Sequence, residues 1–144
     1  MKYSRFEELP VWNAAIELAL RVYKLTQDRS FLRQRSLRDQ LERATVSISN
    51  NIAEGFERGT TQELLTFIYI ARGSAGEVRS MLSLIERLPS FSHLKFEISN
   101  LRRKKFPVSY APGQTFCKIL RSKVSVTSIP KSAASTNGNK SAKK

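Results

Sequence analysis

Between Pro10 and Thr26 the apolar residues Val11, Ala15, Leu18, Val22 and Leu25 recur at alternating spacings of four and three. Such a stripe belongs to an amphipathic helix seated in a bundle seam. Trp12, Ile16, Ala19 and Tyr23 form a second stripe beside it, so this helix is expected to be contacted on two sides. Pro10 stands at its start, where a missing N–H costs nothing. A polar connection from Gln27 to Arg35 separates it from a second helix marked by Leu37, Leu41, Ala44, Ile48 and Ile52, with Gly55 as its left-handed C-terminal cap. Thr60-Thr61-Gln62-Glu63 reads as a capping box that opens a third helix. Its seam is Leu64, Phe67, Ala71, Ser74, Val78, Met81 and Ile85, and it runs to Leu88, stopped by Pro89. Leu94, Ile98 and Leu101 predict a shorter fourth helix from His93 to Lys105, ended by Pro107 and Ala111-Pro112-Gly113.

Three long amphipathic helices and a short fourth, joined by short links, make an all-α, antiparallel up-down-up-down four-helix bundle. The bundle is expected over residues 1–105, with an irregular to disordered basic tail over 106–144. Val124 to Thr127 alternates like a strand but has no partner strand. A short fourth helix leaves apolar surface open near one end, unless Val108–Ile129 or another subunit covers it. Gly73 and Gly76, flanked by Ala71, Ser74 and Ala75, make a waist in the third helix. A tight helix crossing inside the monomer is the first expectation for that waist, and a subunit contact the second.

Charge changes this picture at one end only. Residues 1–88 carry 13 Lys/Arg against 11 Asp/Glu, whereas residues 89–144 carry 12 Lys/Arg against Glu97 alone. A basic segment of this kind holds phosphate backbones without sequence preference; it is equally the composition of a solvated terminus. Arg102-Arg103-Lys104-Lys105, with Phe96, Phe106 and Tyr110 nearby, is the candidate nucleic-acid contact, cations for phosphates and aromatics for unpaired bases. The same cations also suit the negative end of a helix dipole.

Catalytic chemistry has little to stand on. One His and one Cys, His93 and Cys117, lie 24 residues apart, so neither a metal site nor a nucleophile with its base is expected. Arg87 and His93 resemble the Arg…His pair of the helical HEPN ribonucleases, a match that a chain rich in arginine makes easily by chance. No cofactor is expected. A lone cysteine, no apolar stretch behind the charges of the N-terminus and no run near ~18 apolar residues point to the cytoplasm, with no membrane partner.

The stretch Arg43-Ala44-Thr45-Val46-Ser47-Ile48-Ser49-Asn50-Asn51-Ile52-Ala53-Glu54-Gly55-Phe56-Glu57-Arg58 resembles the signature of the 23S rRNA-intervening-sequence proteins. Leu9-Pro10-Val11-Trp12, Val22-Tyr23 and Ile70-Ala71-Arg72-Gly73-Ser74-Ala75-Gly76-Glu77 resemble that family's flanking motifs in the same order. The resemblance implies a bacterial, cytosolic four-helix bundle that assembles as a ring-shaped homopentamer and carries no established enzymatic activity. It also implies relatives that accompany reverse transcriptases and bind nucleic acid through a basic surface, and a fourth helix longer than Pro107 and Pro112 permit here. Within the signature, Arg43, Ser47, Asn51 and Glu54 form a polar stripe that Arg58 and Glu77 can join. A hydrogen-bonded network fixing helix register or subunit geometry is the first reading of the stripe, and ligand or phosphate contact the second.

The functional expectation is a non-catalytic homo-oligomer that binds RNA or DNA non-specifically through basic residues. The alternative is an assembly module that docks a protein partner such as a reverse transcriptase.

Overall fold

A computed structural model of the chain describes residues 3–103, and every regular element in that span is helical. A 3₁₀ turn, Phe6–Glu8, leads into α1 (Pro10–Leu25), followed by α2 (Arg29–Leu32), α3 (Arg35–Glu57) and α4 (Thr61–Ile85). A second 3₁₀ segment, Pro89–Leu94, enters α5 (Lys95–Arg103). The expected tail and the strand-like Val124–Thr127 lie outside the described residues.

α3 is the central helix, packed against α1 on one flank and α4 on the other, while α5 lies against α4 and reaches α1. Leu41, Ile48, Ile52, Leu64, Ala71, Ala75, Val78, Leu82 and Ile85 are fully or almost fully buried where these helices meet. Each large aliphatic side chain removed from water there contributes roughly 1.5–3 kcal/mol. The buried hydroxyl of Thr45 donates to the Leu41 carbonyl at 2.7 Å and that of Ser49 to the Val46 carbonyl at 3.0 Å, so neither is stranded in the core.

α1 starts as its sequence suggests, with Pro10 in the first turn. Leu9, just before it, is almost fully buried, the Phe6 and Trp12 rings meet edge to face at 5.2 Å, and the Asn13 amide donates to the Glu7 carbonyl at 2.7 Å. The second stripe of α1 is covered only in part. Ala19 is buried and Trp12 and Ile16 are half-buried, but Tyr23 is exposed.

α3 corrects two readings. It does not end at Gly55 but runs through it to Glu57, and the left-handed residue is Gly59, at φ 82°. Gly55 serves another purpose, because a Cβ there would lie 2.5 Å from Phe67 Cβ and 3.2 Å from Leu64 Cα. The missing side chain lets α3 and α4 pack closely there. The three residues Arg58–Thr60 then turn the chain back into an antiparallel helical hairpin, in which Ser47 faces Ser74 as Gly55 faces Phe67. Thr60 caps α4 as expected. The Glu63 N–H donates to Thr60 Oγ1 at 3.2 Å, and the Glu63 carboxylate reaches back to accept from that hydroxyl at 2.6 Å.

The connection read as purely polar contains α2, capped by Asp28, whose carboxylate accepts from the Ser30 N–H at 2.9 Å. α2 exists to bury Phe31, which meets Phe91 of the second 3₁₀ segment at a ring separation of 4.7 Å, both rings fully buried. Gln34 donates to Ser90 at 3.1 Å and His93 Nε2 lies 3.2 Å from Asp28 Oδ1, so two loops are fastened together at one end of the bundle. The fourth helix accordingly begins at Lys95, two residues later than expected, and α4 ends at Ile85, three residues earlier. Leu88, ahead of Pro89, is extended at φ −77° and ψ 128°, as the proline ring demands.

Candidate nucleic-acid interface

The polar stripe of α3 divides in two. Asn51 Nδ2 donates to the Ser47 carbonyl at 2.7 Å and to Ser47 Oγ at 3.0 Å, and Ser47 Oγ lies 2.9 Å from Ser74 Oγ on α4. One consistent direction of donation runs from Asn51 through Ser47 to Ser74. This chain fixes the register of the hairpin. Glu54 and Arg58 form a separate exposed pair at 2.7 Å, which raises the Arg58 pKa, and the Arg58 guanidinium lies 5.1 Å from the Phe67 ring centroid. Arg43 joins neither group. It borders an open groove of about 950 Å³ with Tyr23, Asp39, Val46 and Asn50. Glu77 is exposed.

The glycine waist of α4 is not a crossing inside the monomer. Gly73 is exposed, with nothing within 4 Å of where its Cβ would be, and only the tip of Arg79, at 3.9 Å, approaches that of Gly76. Helical spacing aligns Gly73 with Tyr69, Gly76, Ser80 and Leu84, and Tyr69, Ile70 and Leu84 are each about half exposed. The inward face of α4 carries the packing and this outward one is open.

At α5 the four expected contact residues separate. Arg102 pairs with Glu86 of the segment that follows α4, so its charge is already partnered within the chain. Arg103 is exposed, and its guanidinium approaches the Asn100 side-chain oxygen at 3.4 Å. Lys104 and Lys105 lie outside the described residues, as do Phe106 and Tyr110. Phe96 is 70% exposed, the most exposed large apolar residue of the described chain. Phe96, Asn100 and Arg103 follow the four-and-three spacing of one helix face. Asn100 also borders a groove of about 540 Å³ between α5 and the end of α1, with Leu25, Leu94 and Leu101 among its lining. Sequence periodicity missed this groove because Lys24, Gln27 and Asn100 come from α1, the connection after it and α5, whose mutual placement no local pattern encodes.

His93 belongs to the loop fastening. Its Nε2 faces Asp28, whose carboxylate is held below its usual pKa first by the Ser30 N–H and then by the Ser30 hydroxyl and His93. Among the described residues no group of three or more His, Cys, Asp or Glu side chains converges as a metal site would require. No helix of the described residues is long and apolar enough to cross a membrane.

The family model described as 23S rRNA-intervening sequence protein matches residues 7–105 of the 144. The chain belongs to that family. No curated protein and no solved structure matches it. The matched span holds the whole hairpin, the Asn51–Ser47–Ser74 chain and α5, and it stops ahead of Pro107 and Pro112. The signature residues 43–58 therefore lie on the helix whose Gly55 packs tightly against α4.

Proposed function

We propose that this 23S rRNA-intervening sequence protein is a non-catalytic, cytoplasmic, homo-oligomeric bundle that binds RNA or DNA without sequence preference through its C-terminal basic segment. The observation that carries the reading is the outward edge of α5. Arg103 is exposed there on the same helix face as the 70%-exposed Phe96 and leads in sequence into Lys104 and Lys105, in a stretch whose only acid from residue 89 onward is Glu97. Phosphate contacts of this kind act by releasing counterions from the nucleic acid. Arg102 contributes less because Glu86 already neutralises it. Replacing Arg103, Lys104 and Lys105 together with Glu is expected to abolish binding to a labelled RNA without altering the helical spectrum. Unchanged binding would refute the reading.

Self-association is supported by the outward face of α4. Two glycines inside a helix each cost about 1 kcal/mol relative to alanine, and nothing within the monomer needs them small. Tyr69, Ile70 and Leu84 beside them are half-exposed apolar surface of the sort that subunit contacts cover. The same face supports the second reading, a module that docks a different protein. The mass of the assembly in solution decides between them: a multiple of 16.4 kDa supports self-association, and a monomer refutes it.

A further inference from the structure

We infer that the groove between α1 and α5, with Phe96 exposed one helical turn before the groove-lining Asn100, takes unpaired bases of single-stranded RNA; the inference rests on the nucleic-acid reading above and specifies its ligand. Three observations lead there. The groove measures about 540 Å³, within the range of roughly 300–1,000 Å³ that holds small organic ligands. Its charges cancel, since Arg21 and Lys24 are matched by Asp28 and Glu97, so it offers no net attraction to a phosphate. What remains is an apolar floor of Leu25, Leu94 and Leu101 with side-chain amides from Gln27 and Asn100, a combination suited to a flat, neutral ring edged with donors and acceptors.

The charge that a polynucleotide needs begins at Arg103, one helical turn beyond the groove-lining Asn100. Arg103 shares a helix face with Asn100, and the cations Lys104 and Lys105 follow it. Phe96 completes the arrangement on that face. At 70% exposure its ring is available for stacking, and every base has a π-face that can lie on it. A strand whose backbone contacts Arg103 can seat one base in the groove and stack its neighbour on Phe96. Duplex cannot do this, because its bases are already stacked and paired. RNA is favoured over DNA because the amides and the Lys24 ammonium provide partners for a 2′-hydroxyl.

The test uses the full chain and a mixed-sequence RNA of about 12 nucleotides, fluorescently labelled. It is presented alone, annealed to its complement, and as the equivalent DNA strand. Wild-type protein is expected to bind the single RNA strand more tightly than the duplex or the DNA strand. Phe96→Ala should weaken single-strand binding by roughly tenfold while leaving duplex binding and the melting temperature as in wild type, and Phe96→Trp should restore it. Lys24→Glu, across the groove, should also weaken the single-strand complex selectively. If Phe96→Ala weakens neither form, or if it lowers the melting temperature and both affinities together, the stacking site is refuted while electrostatic binding stands. Equal affinity for RNA and DNA strands refutes the RNA assignment. Absence of binding to all three probes refutes the underlying nucleic-acid reading as well.

Discussion

The α3–α4 hairpin and the α5 edge are built to opposite specifications. In the hairpin, Gly55 and Phe67 approach so closely that one methyl group has no room, and the Ser47 and Ser74 hydroxyls bond across the same seam. At α5 a nine-residue helix leaves a phenylalanine 70% exposed, one helical turn from Asn100 at the edge of an open groove. The hairpin spends its side chains on holding shape. The α5 edge leaves Phe96 and Arg103 exposed, and the nucleic-acid contact proposed above lies on that edge.

Substitutions should therefore have large effects on folding in the first region and small ones in the second. Leu82 and Ile52 are fully buried, and replacing either with Ala is expected to cost about 2–5 kcal/mol in chemical unfolding. A cost below that range would show that the seam relaxes more readily than close packing allows. Gly55→Ala forces α3 and α4 apart against a Cβ and a backbone Cα, and should cost about 1–3 kcal/mol despite the better helix propensity of alanine.

Asp28→Ala removes the cap of α2 and the contact to His93, at a cost of about 1 kcal/mol. The folded Asp28 pKa is depressed, so its contribution is present above the unfolded pKa and is lost as pH falls through the folded one. Unfolding followed between about pH 5 and pH 2 should show wild type losing stability relative to Asp28→Ala, until the two converge. Gly73→Ala meets open space, so it should raise the stability of the isolated fold by up to about 1 kcal/mol. Any accompanying loss of assembled mass would assign that face to the subunit contact. Phe96→Ala should change folding least, within about 0.5 kcal/mol of zero, because little of its surface is buried to begin with.

The sequence pattern carried most of the scaffold. Seams of three and four located α1, α3 and α4, and the Thr60–Glu63 box located the turn between the last two. It failed where a residue's role is set by a distant partner. Gly55 looked like a helix terminator because glycine usually is one there, whereas its reason is Phe67, twelve positions away. Phe31 falls within a connection that reads as polar and Phe91 stands between two serines, and only their pairing explains the burial. Of the basic cluster, the sequence showed four equivalent cations, and Glu86 singles out Arg102 from sixteen residues away. The α4 seam was read too narrowly. Leu65, Ile68, Ala75 and Leu82 are buried as well, because α4 has α3 on one side and α5 on another.

The working role of the α5 edge is tested most directly by the salt dependence of RNA binding. Affinity of the full chain for single-stranded RNA, measured between about 50 and 200 mM salt, should fall steeply and log-linearly, and the slope should flatten when Arg103, Lys104 and Lys105 are neutralised. An affinity that ignores salt, or a slope unmoved by losing those three cations, would contradict the assignment of this edge to nucleic acid.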